Sequence, residues 1–399
     1  MPYAADRVLF VSSPERPGAD TFIHALLMRH IDRSRFEVHV AYNAGPPGAG
    51  TSAAAALSSI PDLHLRPTDF GPSLSGKSRA RQIALTVRTI PAIADLVGLA
   101  IYIRRNRIRV VHSTDRVRDA LPCVVLGKLT GAKSVVHVHL GYGEWMSPVV
   151  RWALAHATAR LCISEFVARS LVEHGCSPQR TFVALNAIDA AAWDPTLSAE
   201  GVRRELGLSP GCPVVTCIAR IFPSKGHADL LRAVALVRRD CPEVRLLVVG
   251  RDERSATPGN ESFTAQLRNL ASQLGIAENV IFTGFRSDTA AVLAASDVFA
   301  MPSFEEPFGL VFLEAMAMKR PIVALNNGGT KEVIEDGKSG LLSGPADVTA
   351  LARNITRLLR DPVLRREMGE YGRRQVEARF SAERMAGDVE RVYRQLLGS

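Results

Sequence analysis

The segment richest in chemical possibilities is Pro302-Ser-Phe-Glu-Glu-Pro-Phe-Gly-Leu-Val-Phe-Leu-Glu-Ala-Met-Ala317. Its pattern predicts a strand ending near Met301, a short loop with Glu305 and Glu306, and a helix from near Phe308 to about Lys319. Glu306 sits just before that helix, and Glu314 lies about two turns along it. The first amides of a helix have no intrahelical acceptor. Those of Gly309, Leu310 and Val311 can therefore serve an anion, and Gly309 lets it approach closely. Carboxylates flanking a phosphate site would repel the phosphate. They suit hydroxyl donors instead, as on a sugar and a ribose. The spacing alone also fits one helix-capping and one surface glutamate held by the helix dipole.

Two further turns belong with this segment. Ala219-Arg-Ile-Phe-Pro-Ser-Lys-Gly226 follows an expected strand, and Arg220 and Lys225 from that turn suit a diphosphate and could neutralise a departing nucleotide. Asn326-Asn-Gly-Gly-Thr-Lys-Glu332 is another glycine-containing strand-to-helix turn. In the front half, Ser12 to Asp20 contains no G-x-G-x-x-G, which argues against a dinucleotide-dependent dehydrogenase. Val135-Val-His-Val-His-Leu-Gly141 puts His137 and His139 on one face of a strand end. A metal pair there is conceivable, but no third ligand is apparent. A lone histidine at a strand end is more often structural.

The elements that must carry these groups alternate along the chain. Expected strands are Val8–Ser12, Phe36–Val40, Arg109–His112, Ser134–Val138 and Arg160–Ile163. Helical stretches at Asp20–His30, Val117–Leu129 and Glu165–Glu173 fall between them. The alternation breaks near Asp194-Pro195, and turn residues run to Gly211-Cys-Pro213. It restarts with a strand at Pro213–Ala219, a helix at Lys225–Arg239 and strands at Val244–Val249, Val280–Phe282, Val298–Met301 and Pro321–Ala324. Continuous apolar strands followed by helices predict parallel sheets covered on both faces. The expected fold class is thus α/β, with two doubly wound, Rossmann-like domains facing a central cleft. In such sheets ligands bind outside the carboxyl ends of the strands. Ser381–Leu397 reads as an amphipathic terminal helix, and Ala53–Ala56 as a loop or helix start.

Composition narrows the function classes. The 399 residues are 47% hydrophobic and 22% charged, enough apolar material for two folded domains and too much for a disordered chain. The net charge of +9 is lopsided: residues 1–195 hold 22 basic and 15 acidic residues, the remainder 27 and 25. A basic front half fits an anionic partner, and equally a solvated arginine-rich surface. The six cysteines form no C-x-x-C pair and no disulfide framework, which fits a reducing compartment. No signal-peptide pattern opens the chain, and Asp95 interrupts the apolar run Ile90–Ile103, so no membrane span is expected.

Together these segments resemble the retaining, nucleotide-sugar-dependent glycosyltransferases of family 4, which have the GT-B fold. The resemblance covers essentially the whole chain and is strongest from Val214 to Leu342. Glu306 to Glu314 matches the family's E-x7-E element, and Arg220 with Lys225-Gly226 matches its diphosphate-binding cations. Gly328-Gly329 with Glu332, Asp336 to Leu341, and Leu185 to Asp189 resemble further family elements. Ala187 and Lys319 stand where glycine is common, Lys331 where proline is common, and the first loop has one glycine, Gly18, where two are typical.

The resemblance implies domains at 1–195 (acceptor-binding) and 196–380 (donor-binding), with a helix at 381–399 packing back toward the first. It implies that Glu314 holds the ribose hydroxyls and Glu306 the donor sugar, while Arg220 and Lys225 stabilise the leaving diphosphate. Phe308, Gly309, Leu310 and Val311 would complete the donor site. His139 would lie at the reacting centre, and Gly18 in the loop approaching donor and acceptor.

The expected function is transfer, with retention, of a sugar from a UDP- or GDP-sugar to a hydroxyl acceptor in glycan, glycolipid, envelope polysaccharide or glycosylated-metabolite synthesis. The nucleotide sugar is a co-substrate, and neither a cofactor nor an essential metal is expected. The alternatives are a nucleotide-sugar epimerase of the same fold or a non-catalytic relative. Nucleic-acid binding finds no motif to support it. The expected location is the cytoplasm. Contact with the inner face of an anionic membrane could come through Arg79, Arg81, Arg88, Arg104, Arg105, Arg107 and Arg109 with the Ile90–Ile103 run. A packed helix with a solvated basic end explains the same pattern.

Overall fold

Short runs of branched apolar residues alternate with amphipathic helices, and strands buried on both faces need a helix layer on each side. The computed structural model describes residues 5–16, 18–43, 45, 52–72, 89–252 and 262–398. Arg79, Arg81 and Arg88 fall outside them.

The chain divides into two compact units. One comprises residues 1–186 and 382–399, the other residues 187–381. The first holds a seven-stranded sheet of β1 (Asp6–Ser12), β2 (Phe36–Tyr42), β3 (Leu63–Pro67), β4 (Val110–Thr114), β5 (Lys133–Val138), β6 (Ala159–Cys162) and β7 (Thr181–Val183). Its order is β3-β2-β1-β4-β5-β6-β7, parallel throughout. The second holds a six-stranded sheet of β8 (Val214–Ile218), β9 (Arg245–Val249), β10 (Val280–Gly284), β11 (Val298–Met301), β12 (Ile322–Leu325) and β13 (Gly340–Ser343). Its order is β10-β9-β8-β11-β12-β13, again parallel. β3, β7 and β13 lie outside the strands expected from sequence.

Both orders reverse direction once, between β1 and β4 and between β8 and β11. At such a reversal the loops after the two central strands part in opposite directions and leave a crevice. The loops after β1, β4, β8 and β11 are therefore the places to look for chemistry.

The units divide at Asn186/Ala187, upstream of the composition break at Asp194-Pro195. The physical reason is that the intervening residues are tied to the second unit. Ile188 forms a parallel bridge with Ser381 and donates its amide to the Phe380 carbonyl at 3.1 Å. Arg373 holds the Trp193 carbonyl at 2.7 Å. The terminal helix Ala382–Leu397 belongs to the first unit and packs on the helix Ala19–His30. Glu390 accepts from the Asp32 amide at 2.8 Å, and Arg384 donates to the Leu185 carbonyl at 2.7 Å.

Ala53–Ala56 lies inside a helix, Ser52–Ser58. Lys319, at one position where the family commonly has glycine, has φ 56° just past the helix Leu310–Ala317. A left-handed residue there is a common way to end a helix, and it explains why glycine is frequent at that place.

Candidate functional site

At the reversal in the second sheet, three turns meet. The loop after β8 carries Arg220 and ends in a single 3-10 turn, Pro223–Lys225. The loop after β11 carries Glu306, and the loop after β12 carries Gly328-Gly329. Backbone contacts lock them together. The Ser224 carbonyl accepts from the Phe304 amide at 2.7 Å, and the Glu306 carbonyl accepts from the Gly329 amide at 2.8 Å. A Cβ on Gly328, which has φ 56°, would lie 2.5 Å from the Glu306 carbonyl oxygen. These glycines let the third turn press against the residue of interest. Glu305 has φ 52°, strain of the kind that concentrates at functional loops.

Lys225 Nζ donates to Glu306 Oε2 at 2.6 Å. The pair is largely shielded, with side-chain exposures of 17% and 9%. A shielded pair is costly to break from one side, because the remaining charge is left unpaired. Arg220 is exposed at the end of β8.

The helix beyond Glu306 is shorter than expected from sequence, Leu310–Ala317. Gly309 is its N-cap, with φ 88° and no side-chain cap. A Cβ there would strike the Phe312 ring at 2.3 Å. The positive end of the helix thus remains open to an anion. Phe308 is buried and packs edge-on against Phe380, ring centroids 6.0 Å apart, so only its backbone remains to meet a ligand. Glu314 lies one turn beyond Leu310, roughly 6 Å along the axis. Burial pushes its carboxyl up to about 7.

At the reversal in the first sheet, Gly18 caps the helix Ala19–His30, its amide bonded to Thr21 Oγ1 at 2.6 Å. Arg116, just past β4, clamps Asp20 with both Nε and Nη2. Burial alone would raise the Asp20 carboxyl, but the Arg116 contact holds it below the ordinary value. His139, just past β5, donates its amide to Asp115 Oδ2 at 3.0 Å. Burial raises Asp115 to about 7 and lowers the His139 ring to about 4. Asp119 bridges the two loops, accepting from the Ser13 amide at 2.8 Å and the Thr114 hydroxyl at 2.6 Å.

The structure therefore gathers Lys225, Glu306, Gly309 and Glu314 on one edge of the second unit, with Arg220 on the neighbouring strand end. Gly18 and His139 lie on the corresponding edge of the first. Asp20, Asp115 and Arg116 were not singled out from sequence. Only the strand order reveals that the loops after β1 and β4 are neighbours.

Residues 18–192 match the model described as Glycosyltransferase Family 4, and residues 199–375 the model described as Glycosyl transferases group 1. A GDP-mannose-dependent alpha-(1-6)-phosphatidylinositol monomannoside mannosyltransferase of Mycolicibacterium smegmatis is 34% identical over 274 residues, which cover 64% of this chain and 69% of that protein. A D-inositol 3-phosphate glycosyltransferase of Corynebacterium jeikeium is 38% identical over 199 residues, about half of each chain at 49% and 47%. A crystal structure of a Rickettsia africae glycosyltransferase superposes with a TM-score of 0.79 at 20% identity, covering 99% of each chain. That last likeness speaks for the fold alone. The chain belongs to the family 4 glycosyltransferases, enzymes of the GT-B fold that transfer sugar from a nucleotide sugar.

Proposed function

We propose that this chain transfers a hexose, with retention of configuration, from a GDP- or UDP-sugar to a hydroxyl acceptor, and that the transfer step uses no metal ion. The observation that carries the reading is the shielded Lys225–Glu306 pair beside an uncapped helix start. Without donor, the two charges neutralise each other. With donor bound, Lys225 turns to the diphosphate together with Arg220 and the amides at Leu310 and Val311, and Glu306 accepts from the sugar hydroxyls. Glu314 accepts from the ribose.

In the reaction the bond from the anomeric carbon to the phosphate oxygen breaks, and a bond to the acceptor oxygen forms on the same face. The acceptor proton passes to the departing phosphate. Fixed cations and helix amides stabilise the charge that develops there. His139 is assigned to the reacting sugar through the family resemblance.

The test is release of free nucleoside diphosphate from a panel of donors, starting with GDP-mannose because one relative is named for it. Release from at least one donor is expected, and it should persist in excess EDTA. No release from any donor with any acceptor, or strict metal dependence, would contradict the scheme.

Glu314 adds a pH dependence. It accepts ribose hydroxyls best when ionised, yet burial sets its unliganded carboxyl at about 7. The free chain then holds a proton below pH 7 that the donor complex expels. Donor affinity should be full above pH 7 and fall by about tenfold per unit as pH drops below it. Titration calorimetry from pH 8 to 5.5 checks this. A profile without that inflection, or one unchanged in Glu314→Gln, refutes the role.

The first unit also carries a surface suited to an anionic membrane. On the helix Thr89–Arg105, Ile93, Val97 and Ile101 recur every fourth residue and are 59%, 57% and 46% exposed. The helix Val117–Thr130 packs between this helix and Pro148–His156, and it exposes Val117, Leu121, Val125 and Leu129. Trp152 is exposed on the third helix, with Lys128 Nζ 5.1 Å from its ring. Exposed Arg104, Arg105 and Arg107 border the stripes. Apolar residues ringed by cations complement an anionic bilayer surface. No helix among the described residues is long and apolar enough to cross a membrane. Co-sedimentation with vesicles containing phosphatidylglycerol is expected, weakened by salt and lost in Val97→Glu/Leu121→Glu. Binding indifferent to salt and to these changes would exclude the surface.

A further inference from the structure

His24 on the helix Ala19–His30, His112 on β4 and His137 on β5 meet inside the first unit. All three are buried, His112 and His137 completely. Ring centroids lie 4.8 Å apart for His24–His112, 5.3 Å for His24–His137 and 5.4 Å for His112–His137. One ring nitrogen of each lies within 4.8 Å of the other two. Nε2 of His24, Nε2 of His112 and both nitrogens of His137 are sealed from solvent, with no hydrogen-bond partner among the described residues. Buried polar atoms are nearly always paired, so these neighbouring imidazoles, with four ring nitrogens left unpaired between them, call for a ligand.

We propose that His24, His112 and His137 form a binding site for a divalent transition-metal ion, with Zn2+ the first to test. Three imidazole nitrogens, without thiolate or carboxylate, select zinc, copper or nickel over magnesium or calcium. Burial drives His24 down to about 3 and His112 and His137 well below the ordinary imidazole range, so each ring is neutral and offers a lone pair. A tetrahedral ion with bonds of about 2.0–2.1 Å sets its ligands about 3.3 Å apart. Binding therefore requires the rings, two of which (His24 and His137) now lie stacked, to turn about χ2, a broad torsion, and draw together. The His112 ring is already oriented: its Nδ1 lies 2.5 Å from the Tyr393 hydroxyl. With the proton on Nδ1 donated to that oxygen, Nε2 faces the cluster. Tyr393 belongs to the terminal helix, so the ion would tie that helix to the sheet through His112. The ion is a structural one; His139, assigned above to the reacting sugar, lies beside the trio with its ring centroid 4.5 Å from that of His137, and it is not counted among the ligands.

A second trio, Glu37, His39 and His64, is already satisfied from within. Glu37 Oε1 binds His39 Nε2 at 3.0 Å and His64 Nε2 at 3.3 Å, while Arg7 holds Oε2 at 2.8 Å. It serves as the control.

The experiment takes the full chain without an affinity tag, stripped with EDTA and then freed of chelator. Zn2+ is titrated by calorimetry and Co2+ by visible absorption. One equivalent is expected, with the intense d–d bands of a four-coordinate nitrogen-rich site and a thermal midpoint raised by several degrees. His24→Gln and His112→Gln should each weaken binding at least tenfold and abolish the thermal shift, while His64→Ala changes neither. Absence of Co2+ bands in the wild-type chain overturns the proposal, whatever the variants do. Binding kept by His24→Gln and lost in His64→Ala overturns it as well.

Discussion

Glu306→Gln is expected to lower kcat by about 10²–10³ with little change in the folded structure, the order of losing one preorganised charged contact in the transition state. The Glu306 side chain is 9% exposed and its Oε2 is held by Lys225 at 2.6 Å. Glutamine keeps the volume and one carbonyl oxygen, so the loop retains its backbone bonds to Ser224 and Gly329. What disappears is the negative charge that pairs with Lys225 and that, in the proposed scheme, accepts the sugar hydroxyls. Steady-state kinetics should show the loss mainly in kcat, since a donor still anchored by its diphosphate binds. Lys225→Ala should cost a similar factor. The double variant should cost much less than the product, because each change removes the same pair. Wild-type turnover in Glu306→Gln would end the assignment, and strict additivity would show that the two side chains work separately.

Gly226→Ala is the substitution expected to damage both fold and activity. Gly226 has φ 73°, and a Cβ there would lie 2.0 Å from the Pro302 carbonyl oxygen. That oxygen is backbone and cannot swing aside, so the loops after β8 and β11 must move apart. A left-handed alanine costs about 1 kcal/mol, and forcing apart packed loops adds about 1–3 kcal/mol more. Gly131 provides the comparison. It has φ 84° at the end of the helix Val117–Thr130, but an added Cβ meets nothing within 4 Å. Gly131→Ala should therefore cost about 1 kcal/mol, the conformational part alone. Denaturant unfolding measures both. Equal losses would mean that the loop contact carries no weight. Gly226→Ala should also lose transfer at temperatures where it stays folded, because Lys225 is the preceding residue.

Much of the fold was legible from residue types. Apolar runs such as Val298–Met301 give strands in any context that buries both faces, and the helix Glu165–Glu173 matches its expected bounds. The E-x7-E spacing, the paired cations and the glycine turns were likewise visible, because the proposed donor site is built from particular residue types in a local order. Less legible was β7, Thr181–Val183, whose few residues pair only with β6 at the sheet edge. The expected boundary at 195 followed a shift in composition. The contacts at Ile188 and Trp193 place the division earlier, and such contacts are made with residues far along the chain.

The sequence by itself determined the alternation of strand and helix, the family, and which groups of the second half could hold a nucleotide sugar. Each of these depends on residues near one another in the chain. Tertiary structure alone decided the strand order, and with it the meeting of Asp20, Asp115 and Arg116 around His139. It also decided the histidine cluster. His137 and His139 share a face by simple alternation, yet the partners of His137 are His24 and His112, which pairing of β1 with β4 and of β4 with β5 brings to it. Spacing in sequence conveys which way a side chain points from its own strand, whereas what it meets there depends on which strands the sheet sets beside it.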